Sequence, residues 1–314
     1  MADLSSAFAE GIERKTRQVR YIDLPNLPNR APISLPVAVL AGADSGPTVW
    51  ISSAIHGDEI NGVDICRHLL RELDVASMAG TVLVLPIVDV YGFNVGSRYM
   101  PDRRDLNRSF PGSRNGSLAA RVAHAFVTEV VDRCDAGIDL HSGAQGRTNL
   151  PQVRGVVTDH RVAELAAAFA APITVQSSVI KGSLRAVATK RDIPYVLFEG
   201  GAASHFDPDA RDVAVGGCLR LLHRLGVIAA APAAETDTVI VTKTRWVRAP
   251  ESGVLDALVG LGDQVRKGEP LALVTDTFGE NAHEIAASHD GIIIGMATDP
   301  LVQGGDAVFN IGRS

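Results

Sequence analysis

The chain has 314 residues, of which 46% are hydrophobic and 21% are charged, a balance typical of a globular protein with one or two domains. Its net charge of −6 argues against a nucleic-acid-binding surface, but it does not exclude an anionic small substrate. Residues 1–20 lack the apolar core of a signal peptide, no apolar run could span a bilayer, and the three cysteines show no CxxC spacing. We therefore expect a cytoplasmic protein with reduced thiols that binds neither nucleic acid nor membrane.

Strand-like and helix-like segments alternate over the first two thirds of the chain. The predicted strands cover residues 37–40, 48–52, 82–87, 137–140, 155–158, 173–176 and 195–198. The predicted helices between them cover residues 58–73, 117–131, 161–170 and 207–225. This alternation predicts an α/β fold with a largely parallel sheet and helices on both faces, whose active site lies at the carboxyl ends of the strands.

The composition changes near residue 227, where an Ala/Pro-rich linker precedes a segment without helical periodicity. Short strands are predicted at residues 238–242, 253–258, 270–274, 291–296 and 307–311. Residues 260–268 are echoed by residues 300–307, and this two-half pattern resembles the biotinyl/lipoyl-type barrel-sandwich fold. The second half lacks the lysine that a carrier needs, so we expect a structural all-β domain at 236–314 after an α/β domain at 1–230.

Two polar motifs follow apolar, strand-like runs. His56-Gly57-Asp58-Glu59 comes after the predicted strand at 48–52, and His141 comes after the strand at 137–140. Two histidines and a carboxylate are the ligand set of a catalytic zinc ion, which keeps one position for water. A lone HxxE motif is weak evidence, however, and these residues alone leave open that His56 and His141 have separate structural roles.

A loop over residues 98–112 concentrates arginine, aspartate and asparagine, and it is anchored by Leu106 and Phe110-Pro111-Gly112. Arginine binds carboxylates through two parallel hydrogen bonds, and asparagine adds a neutral donor. Beside a metal, such a loop could hold an anionic substrate and polarise a scissile carbonyl group.

Four motifs in this order resemble the succinylglutamate desuccinylase/aspartoacylase family of zinc carboxypeptidase-like amidohydrolases. They span about residues 37–201 and are His56-Gly57-Asp58-Glu59, Asp105-Leu106-Asn107-Arg108 with Phe110-Pro111-Gly112, Asp139-Leu140-His141 and Phe198-Glu199-Gly200-Gly201. The resemblance implies the zinc-carboxypeptidase-like form of the α/β fold, a mixed, largely parallel sheet flanked by helices, and the β-rich tail also fits that family.

The resemblance implies a metal centre with a general base. His56, Glu59 and His141 would bind one zinc ion per chain, and Asp105 would hydrogen-bond a histidine ligand and fix its tautomer. Glu199 would take a proton from the attacking water and return it to the leaving nitrogen.

The same resemblance implies how the loop at 98–112 contacts a substrate. Arg98 would stabilise the developing oxyanion, although Arg103 and Arg104 compete for that role. Asn107 and Arg108 would hold a substrate carboxylate.

The resemblance implies zinc-dependent hydrolysis of the amide bond of a small N-acylated amino acid or diamino acid that carries an acetyl or succinyl group. Members of about this length with a β tail include deacylases of N-acetylated diamino acids. A carboxypeptidase acting on a short peptide and a non-catalytic metal-binding module are the alternatives, and homo-oligomerisation stays open.

Overall fold

The computed structural model describes residues 12–235 and 237–314, so the expectations for residues 1–11 and for a domain start at residue 236 lie outside the described residues. A mixed sheet of 13 strands forms the body of the protein, and a second sheet has four strands. The strands before residue 230 are β1 (Thr16–Leu24), β2 (Ile33–Ala41), β3 (Asp44–Ser53), β4 (Ala79–Leu85), β5 (Ala136–His141), β6 (Arg147–Gly155), β7 (Ile173–Gln176) and β8 (Tyr195–Ala202).

Helices flank this sheet on both faces, as predicted. Within the described residues the α-helices are α1 (Asn61–Glu72), α2 (Val90–Val95), α3 (Leu118–Glu129), α4 (His160–Phe169), α5 (Leu184–Lys190) and α6 (Pro208–Arg224). Side-chain caps begin several of them: Ser117 accepts a hydrogen bond from the Ala120 amide at the start of α3, and Asp207 does so from Ala210 at the start of α6. Three short 3₁₀ helices cover Val75–Ser77, Leu106–Arg108 and Val131–Arg133.

Some predicted elements differ from the structure. The strand predicted at residues 155–158 is wrong, because β6 ends at Gly155 and a turn leads from it into α4. Strand β1 was not predicted, because its residues alternate between polar and apolar and do not form an apolar run. Helices α2 and α5 have six and seven residues, too few to show a helical period.

The strands at the centre of the sheet are parallel and adjacent in the order β4-β3-β5-β8. Their register pairs Ser52 with Asp139 and His141 with Glu199. The carboxyl ends of these strands therefore meet at one edge of the sheet, where the motifs at residues 56–59, 139–141 and 198–201 also lie.

Side chains of the central strands point alternately to the two faces of the sheet, and they pack into one apolar core on each face. Trp50 of β3 packs in one core with Phe126 of α3, whereas Ile51 packs in the other with Phe169 of α4 and Phe198 of β8. Because both faces are covered, the strand ends are held rigidly, and so are the loops that leave them.

After residue 230 the described residues are all-β. The strands are β9 (Val239–Val241), β10 (Lys243–Arg248), β11 (Gly253–Ala257), β12 (Gln264–Val265), β13 (Pro270–Thr275), β14 (His283–Ala286), β15 (Gly291–Ala297), β16 (Leu301–Val302) and β17 (Ala307–Arg313). They enclose an apolar core of their own, which includes Leu271, Ile293 and Phe309.

The C-terminal strands also extend the large sheet. Strand β15 pairs with β6, β7 pairs with β9, and the sheet continues through β17 to β10. The division into domains 1–230 and 236–314 stays a prediction, since hydrogen bonding runs across it. Among the described residues, none of the helices has the length and apolar character needed to cross a membrane.

Candidate metal centre and substrate pocket

The turn between β3 and α1 carries His56 and Glu59, and His141 is the last residue of β5. Potential ligand atoms of these three residues all lie within 4.8 Å of one another, and all three residues are buried. Gly57 is required in this turn because a Cβ atom there would lie 2.1 Å from the backbone of Gly92. The structure thus brings together the three predicted ligands into a group that could hold a metal ion.

Each histidine contacts carboxylates through both ring nitrogens. The Nδ1 atoms of His56 and His141 lie 2.7 and 2.8 Å from the two oxygens of Glu59. The Nε2 atom of His56 lies 3.2 Å from Asp105, and that of His141 lies 2.7 Å from Asp139. Glu59 therefore sits between two Nδ1 atoms, with an aspartate behind each ring.

This arrangement fits a divalent cation between His56, Glu59 and His141. A neutral imidazole has one N–H group, and donating it from Nε2 to an aspartate leaves the Nδ1 lone pair facing Glu59. Without a cation, contacts to carboxylates through both nitrogens would require each buried ring to be a charged imidazolium. Two histidines and a glutamate are also the donor set of catalytic zinc sites.

The pKa values of these residues are shifted because several charged groups lie close together in this buried site. Burial lowers the pKa of His56 and His141, but the neighbouring carboxylates outweigh burial and raise both above the ordinary value. Burial raises the pKa of Glu59, yet the two histidines hold it well below its usual range. Burial likewise acts against the charged form of Asp105, but its hydrogen bond to His56 lowers its pKa to about 2.

Arg98 lies against the predicted ligands. Its Nη1 atom donates to Glu59 at 2.8 Å, and its Nη2 atom lies 3.3 Å from Asp105. Arg103 and Arg104 are exposed, and Arg104 lies 3.8 Å from Asp102, away from the cavity. Of the three arginines considered for the oxyanion role, only Arg98 lines the cavity.

Asn107 and Arg108 also line the cavity, in the 3₁₀ helix that Asp105 caps. Asn107 is buried, and its Oδ1 atom accepts a hydrogen bond from the Leu184 amide at 2.9 Å. That bond fixes the side chain so that its Nδ2 group, which has no partner among the described residues, is free to donate to a ligand. Arg108 is exposed and donates to the Asn107 carbonyl at 2.8 Å.

Glu199 lies beside His141 in the register of β8 and β5 and lines the same cavity. Asn149 of β6 donates to its Oε2 atom at 2.8 Å, and the Nε atom of Arg154 lies 3.5 Å from the same oxygen. These contacts hold one carboxylate oxygen and leave the other free to face the cavity.

The cavity that joins these residues has a volume of about 760 Å³. Among the described residues, its lining includes two carboxylates, Glu59 and Glu199, and six cationic side chains: Arg98, Arg108, Arg147, Arg154, Arg185 and Lys243. A cleft lined by one sign of charge concentrates ligands of the opposite sign. The cavity is thus suited to anions, although the chain as a whole is acidic.

Arg185 is a cavity residue that the sequence prediction missed. It is only 9% exposed, its Nη1 atom donates to the Ser178 carbonyl at 3.2 Å, and its Nε atom has no partner among the described residues. Burial lowers the pKa of this guanidinium. Ser183, which caps α5, is a helix-start signal that could have revealed the short helix carrying Arg185.

A mixed sheet covered by helices, with a His/Glu/His group and a carboxylate at the carboxyl edge of its parallel central strands, is the fold of zinc-carboxypeptidase-like hydrolases. A model of the succinylglutamate desuccinylase/aspartoacylase catalytic domain matches residues 45–225, more than half of the chain, and the protein belongs to this family of deacylases.

Relatives of known structure or activity extend the match over nearly the whole chain. The chain is 27% identical to the N-alpha-acetyl-L-2,4-diaminobutyric acid deacetylase of Halomonas elongata, over 90% of this chain and 86% of that protein. It resembles the product-bound ectoine utilization protein EutE (DoeB) of Ruegeria pomeroyi, with a TM-score of 0.87, 25% identity and 96% coverage of both chains. A succinylglutamate desuccinylase/aspartoacylase of Rhodobacter sphaeroides has the same TM-score, with 26% identity over 98% of this chain and 100% of that one.

Proposed function

We propose that the protein is a zinc-dependent deacylase that hydrolyses the amide bond of a small N-acylated amino acid. The observation that carries this proposal is the buried His56–Glu59–His141 group, which lies beside Glu199 in a cationic cavity. The donor set suits zinc, and the membership in a deacylase family supports amide hydrolysis.

The metal would be held by His56, Glu59 and His141. When bound, a zinc ion lowers the pKa of water to about 7 and polarises a carbonyl group. Asp105 and Asp139 accept from the Nε2 atoms of the two histidines and keep each Nδ1 lone pair directed towards Glu59.

Glu199 is the proposed general base. Asn149 and Arg154 fix one of its oxygens, so the other is positioned to accept a proton from the attacking water and to return it to the leaving nitrogen. Hydrolysis without that return would expel an amide anion, which is a very poor leaving group.

Arg98 is the proposed stabiliser of the oxyanion, since its guanidinium is the cation that contacts Glu59. Asn107 and Arg108 lie on the same side of the cavity and are the proposed clamp for a substrate carboxylate. The Asn107 amide donates to the Oδ1 atom of Asp105 at 2.7 Å, and this bond, which holds the loop in one conformation, supports both proposed roles.

The activity is tested by offering zinc-loaded protein a panel of N-acetyl and N-succinyl amino acids beside matched dipeptides. We expect release of the free amine from members of the first group. Cleavage of dipeptides alone would identify a peptidase and contradict the proposal, and turnover of neither group would favour a binding module.

The role of Glu199 is tested with Glu199→Gln, which keeps the shape and the bond from Asn149. Loss of a general base predicts a fall in kcat of about 10²- to 10⁴-fold with the zinc content unchanged. The matched control is Glu164→Gln, a half-exposed glutamate paired with Arg224 on the surface, which should retain full activity. Turnover by Glu199→Gln at the wild-type rate would show that another group is the base.

A further inference from the structure

Strands from the C-terminal part of the chain form the floor at the far end of the cavity. The register places Asn149 of β6, Gly295 of β15, Asn310 of β17 and Trp246 of β10 in one row across the sheet. Adjacent strands lie about 4.8 Å apart, so this row extends about 14 Å away from Asn149. Because Asn149 contacts Glu199, the row begins beside the candidate base and leads away from the metal centre.

Arg147 lies over this row. Side chains two residues apart on a strand share a face, so Arg147 projects on the same side of β6 as Asn149. Its guanidinium carbon lies 4.7 Å from the centre of the Trp246 ring. No hydrogen bond or ion pair joins its side chain to the described residues, so the cation–π contact positions the guanidinium while its N–H groups stay free for a ligand.

Asn310 provides an independent indication that this space takes a ligand. Its side chain is 3% exposed and lines the cavity, yet its Oδ1 atom has no hydrogen-bond partner among the described residues. Buried polar atoms are nearly always paired, because leaving one unpaired is unfavourable. A ligand N–H or O–H group would pair with that oxygen, whereas a carboxylate, which only accepts hydrogen bonds, would pair with the Nδ2 group of Asn310, which has no partner among the described residues.

Gly295 makes room for the side chain of Asn149 beside Asn310. A Cβ atom at Gly295 would lie 2.8 Å from the Asn149 Oδ1 atom and 3.5 Å from the Asn310 Cβ atom. A larger residue at position 295 would therefore displace the Asn149 side chain, which donates to Glu199.

We propose that Arg147, Trp246 and Asn310 form a distal subsite that binds a carboxylate at the end of the substrate remote from the scissile amide. Arg147 is then the residue that determines this specificity. The inference rests on the proposed deacylase function and adds a second negative charge to the substrate. The carboxylate belongs either to the acyl group or to the side chain of the amino acid, and both sources present the same chemistry to Arg147.

The charges that line the cavity favour a carboxylate over an amine at this end. Glu59 and Glu199, its two carboxylates among the described residues, lie at the metal end of the row, where Glu59 contacts His56 and Asn149 holds one oxygen of Glu199. A cationic amine, as in the diamino acid for which the Halomonas elongata relative is named, would meet Arg147 and Lys243 without a free counter-ion. We therefore expect this chain to differ from that relative in substrate charge.

Isosteric pairs test the subsite and identify the source of the carboxylate. N-acetylglutamate is compared with N-acetylglutamine, and N-succinyl-alanine with N-succinamoyl-alanine, with N-acetyl-2,4-diaminobutyrate as a cationic reference. A charge-assisted hydrogen bond predicts a kcat/KM at least about tenfold higher for the carboxylate member of one pair. Turnover without such a preference, or a preference for the diamino acid, would overturn the subsite but leave the deacylase function intact.

Binding is measured separately, so that the subsite is also decided if no N-acyl compound is cleaved. Calorimetric titration of the zinc-loaded protein with glutarate and with its monoamide compares the same chain length with and without the second charge. Glutarate should bind at least about tenfold more tightly. Equal affinity would overturn the subsite, whereas tight glutarate binding without amide hydrolysis would contradict only the deacylase function.

The variant Arg147→Gln assigns the effect to this arginine. For the preferred carboxylate substrate, KM should rise about tenfold with kcat nearly unchanged, while the neutral isostere should be unaffected. Arg147→Lys should restore part of the preference. The control is Arg245→Gln, an exposed position next to Trp246 whose side chain lies on the opposite face of β10. A retained preference in Arg147→Gln, or an equal loss for both isosteres, would contradict the proposal.

Discussion

The metal half of the cavity and its distal half differ in how their charged side chains are paired. The metal half consists of His56, Glu59, Arg98, Asp105, Asp139 and His141. Each of these charged side chains has a partner of opposite sign within the group. In the distal half, which consists of Arg147, Trp246 and Asn310, the arginine has no carboxylate partner among the described residues, and Arg185, elsewhere in the cavity lining, has none either.

The residues of the metal half are held in place by ion pairs and hydrogen bonds to one another. The residues of the distal half have unpaired polar groups that can bind a ligand. A network of paired charges is preorganised, so it keeps a fixed geometry at little further cost when the reaction begins. A buried cation without a counter-ion is unfavourable until an anion arrives, which makes it a recognition element. Substitutions in the metal half should therefore affect metal binding and kcat, and those in the distal half should affect KM.

The largest effect is expected from removing a ligand in the metal half. His141→Ala should abolish stoichiometric zinc binding and lower hydrolysis by at least about 10³-fold, since the metal supplies several kcal/mol of transition-state stabilisation. Zinc content is measured by atomic absorption after dialysis. His160→Ala, at a surface histidine whose side chain is 85% exposed, is the control. One bound zinc per chain in His141→Ala would show that the metal lies elsewhere.

A smaller effect is expected where the ligand itself is kept. Asp139 is fully buried and accepts hydrogen bonds from Ser52 at 2.7 Å and Tyr195 at 3.1 Å, besides its contact with His141. Asp139→Asn should weaken zinc binding about 10- to 100-fold, because an amide no longer fixes the histidine tautomer. Competition with a chelator measures this affinity.

The more exposed Asp105 offers a matched comparison for that substitution. Its side chain is 16% exposed, against 0% for Asp139, so water can replace part of its function. Asp105→Asn should therefore weaken zinc binding less than Asp139→Asn does. Wild-type affinity in Asp139→Asn would contradict its role in orienting His141.

The metal half was largely predictable from the sequence, and the distal half was not. His56, Glu59 and His141 follow apolar strands, and parallel strands place their carboxyl ends together, so local patterns were sufficient to bring these ligands to one edge. Arg147 and Trp246 meet because β6 pairs with β15 and the sheet continues to β10. Such pairing between strands far apart in the chain leaves no local pattern.

The prediction of the fold has the same limit, because local patterns reveal individual elements but not the pairing of distant strands. The long helices α1, α3, α4 and α6 were predicted because each repeats apolar residues with a helical period or begins with a capping residue. The resemblance to a known family supplied Glu199, whose chemistry no local pattern identified. The mixed character of the sheet beyond its parallel centre comes from β1 and β2 on one side and from β6 on the other, and the polar sequence of β6 with Pro151 does not suggest a strand.

At Arg185, the other cavity arginine without a carboxylate partner, Arg185→Gln should separate binding from stability. KM should rise about tenfold, because a charge-assisted hydrogen bond to the substrate is lost. The free energy of unfolding without ligand should not fall, because the substitution also removes an uncompensated buried charge. Steady-state kinetics and urea denaturation measure the two effects.

The control for Arg185 is Arg191→Gln, a partly exposed arginine paired with Asp132 at the end of the same helix. It should leave KM unchanged. A fall in kcat with unchanged KM in Arg185→Gln would place Arg185 among the residues that act on the transition state instead.

The smallest effect concerns Asp89, a buried carboxylate near the metal half that has no cation partner. Its Oδ1 atom accepts from the Gly92 amide at 2.7 Å, while its Oδ2 atom has no partner among the described residues. Burial raises its pKa to about 7. Because the pKa is higher in the folded state than in the unfolded chain, its contribution to stability is present below about pH 4 and is lost as the pH rises through 7.

Asp89→Asn keeps the acceptor for Gly92 but cannot ionise, so the variant should lose less stability between pH 5 and pH 8 than the wild type does. The difference should be on the order of 2 kcal/mol in the free energy of unfolding, measured with urea at both pH values. Asp74→Asn, which replaces an exposed aspartate that accepts from the Ala76 amide, should leave the pH dependence unchanged. If Asp89→Asn follows the wild-type curve, Asp89 is ionised in the folded protein, and its charge must be balanced by the metal half after all.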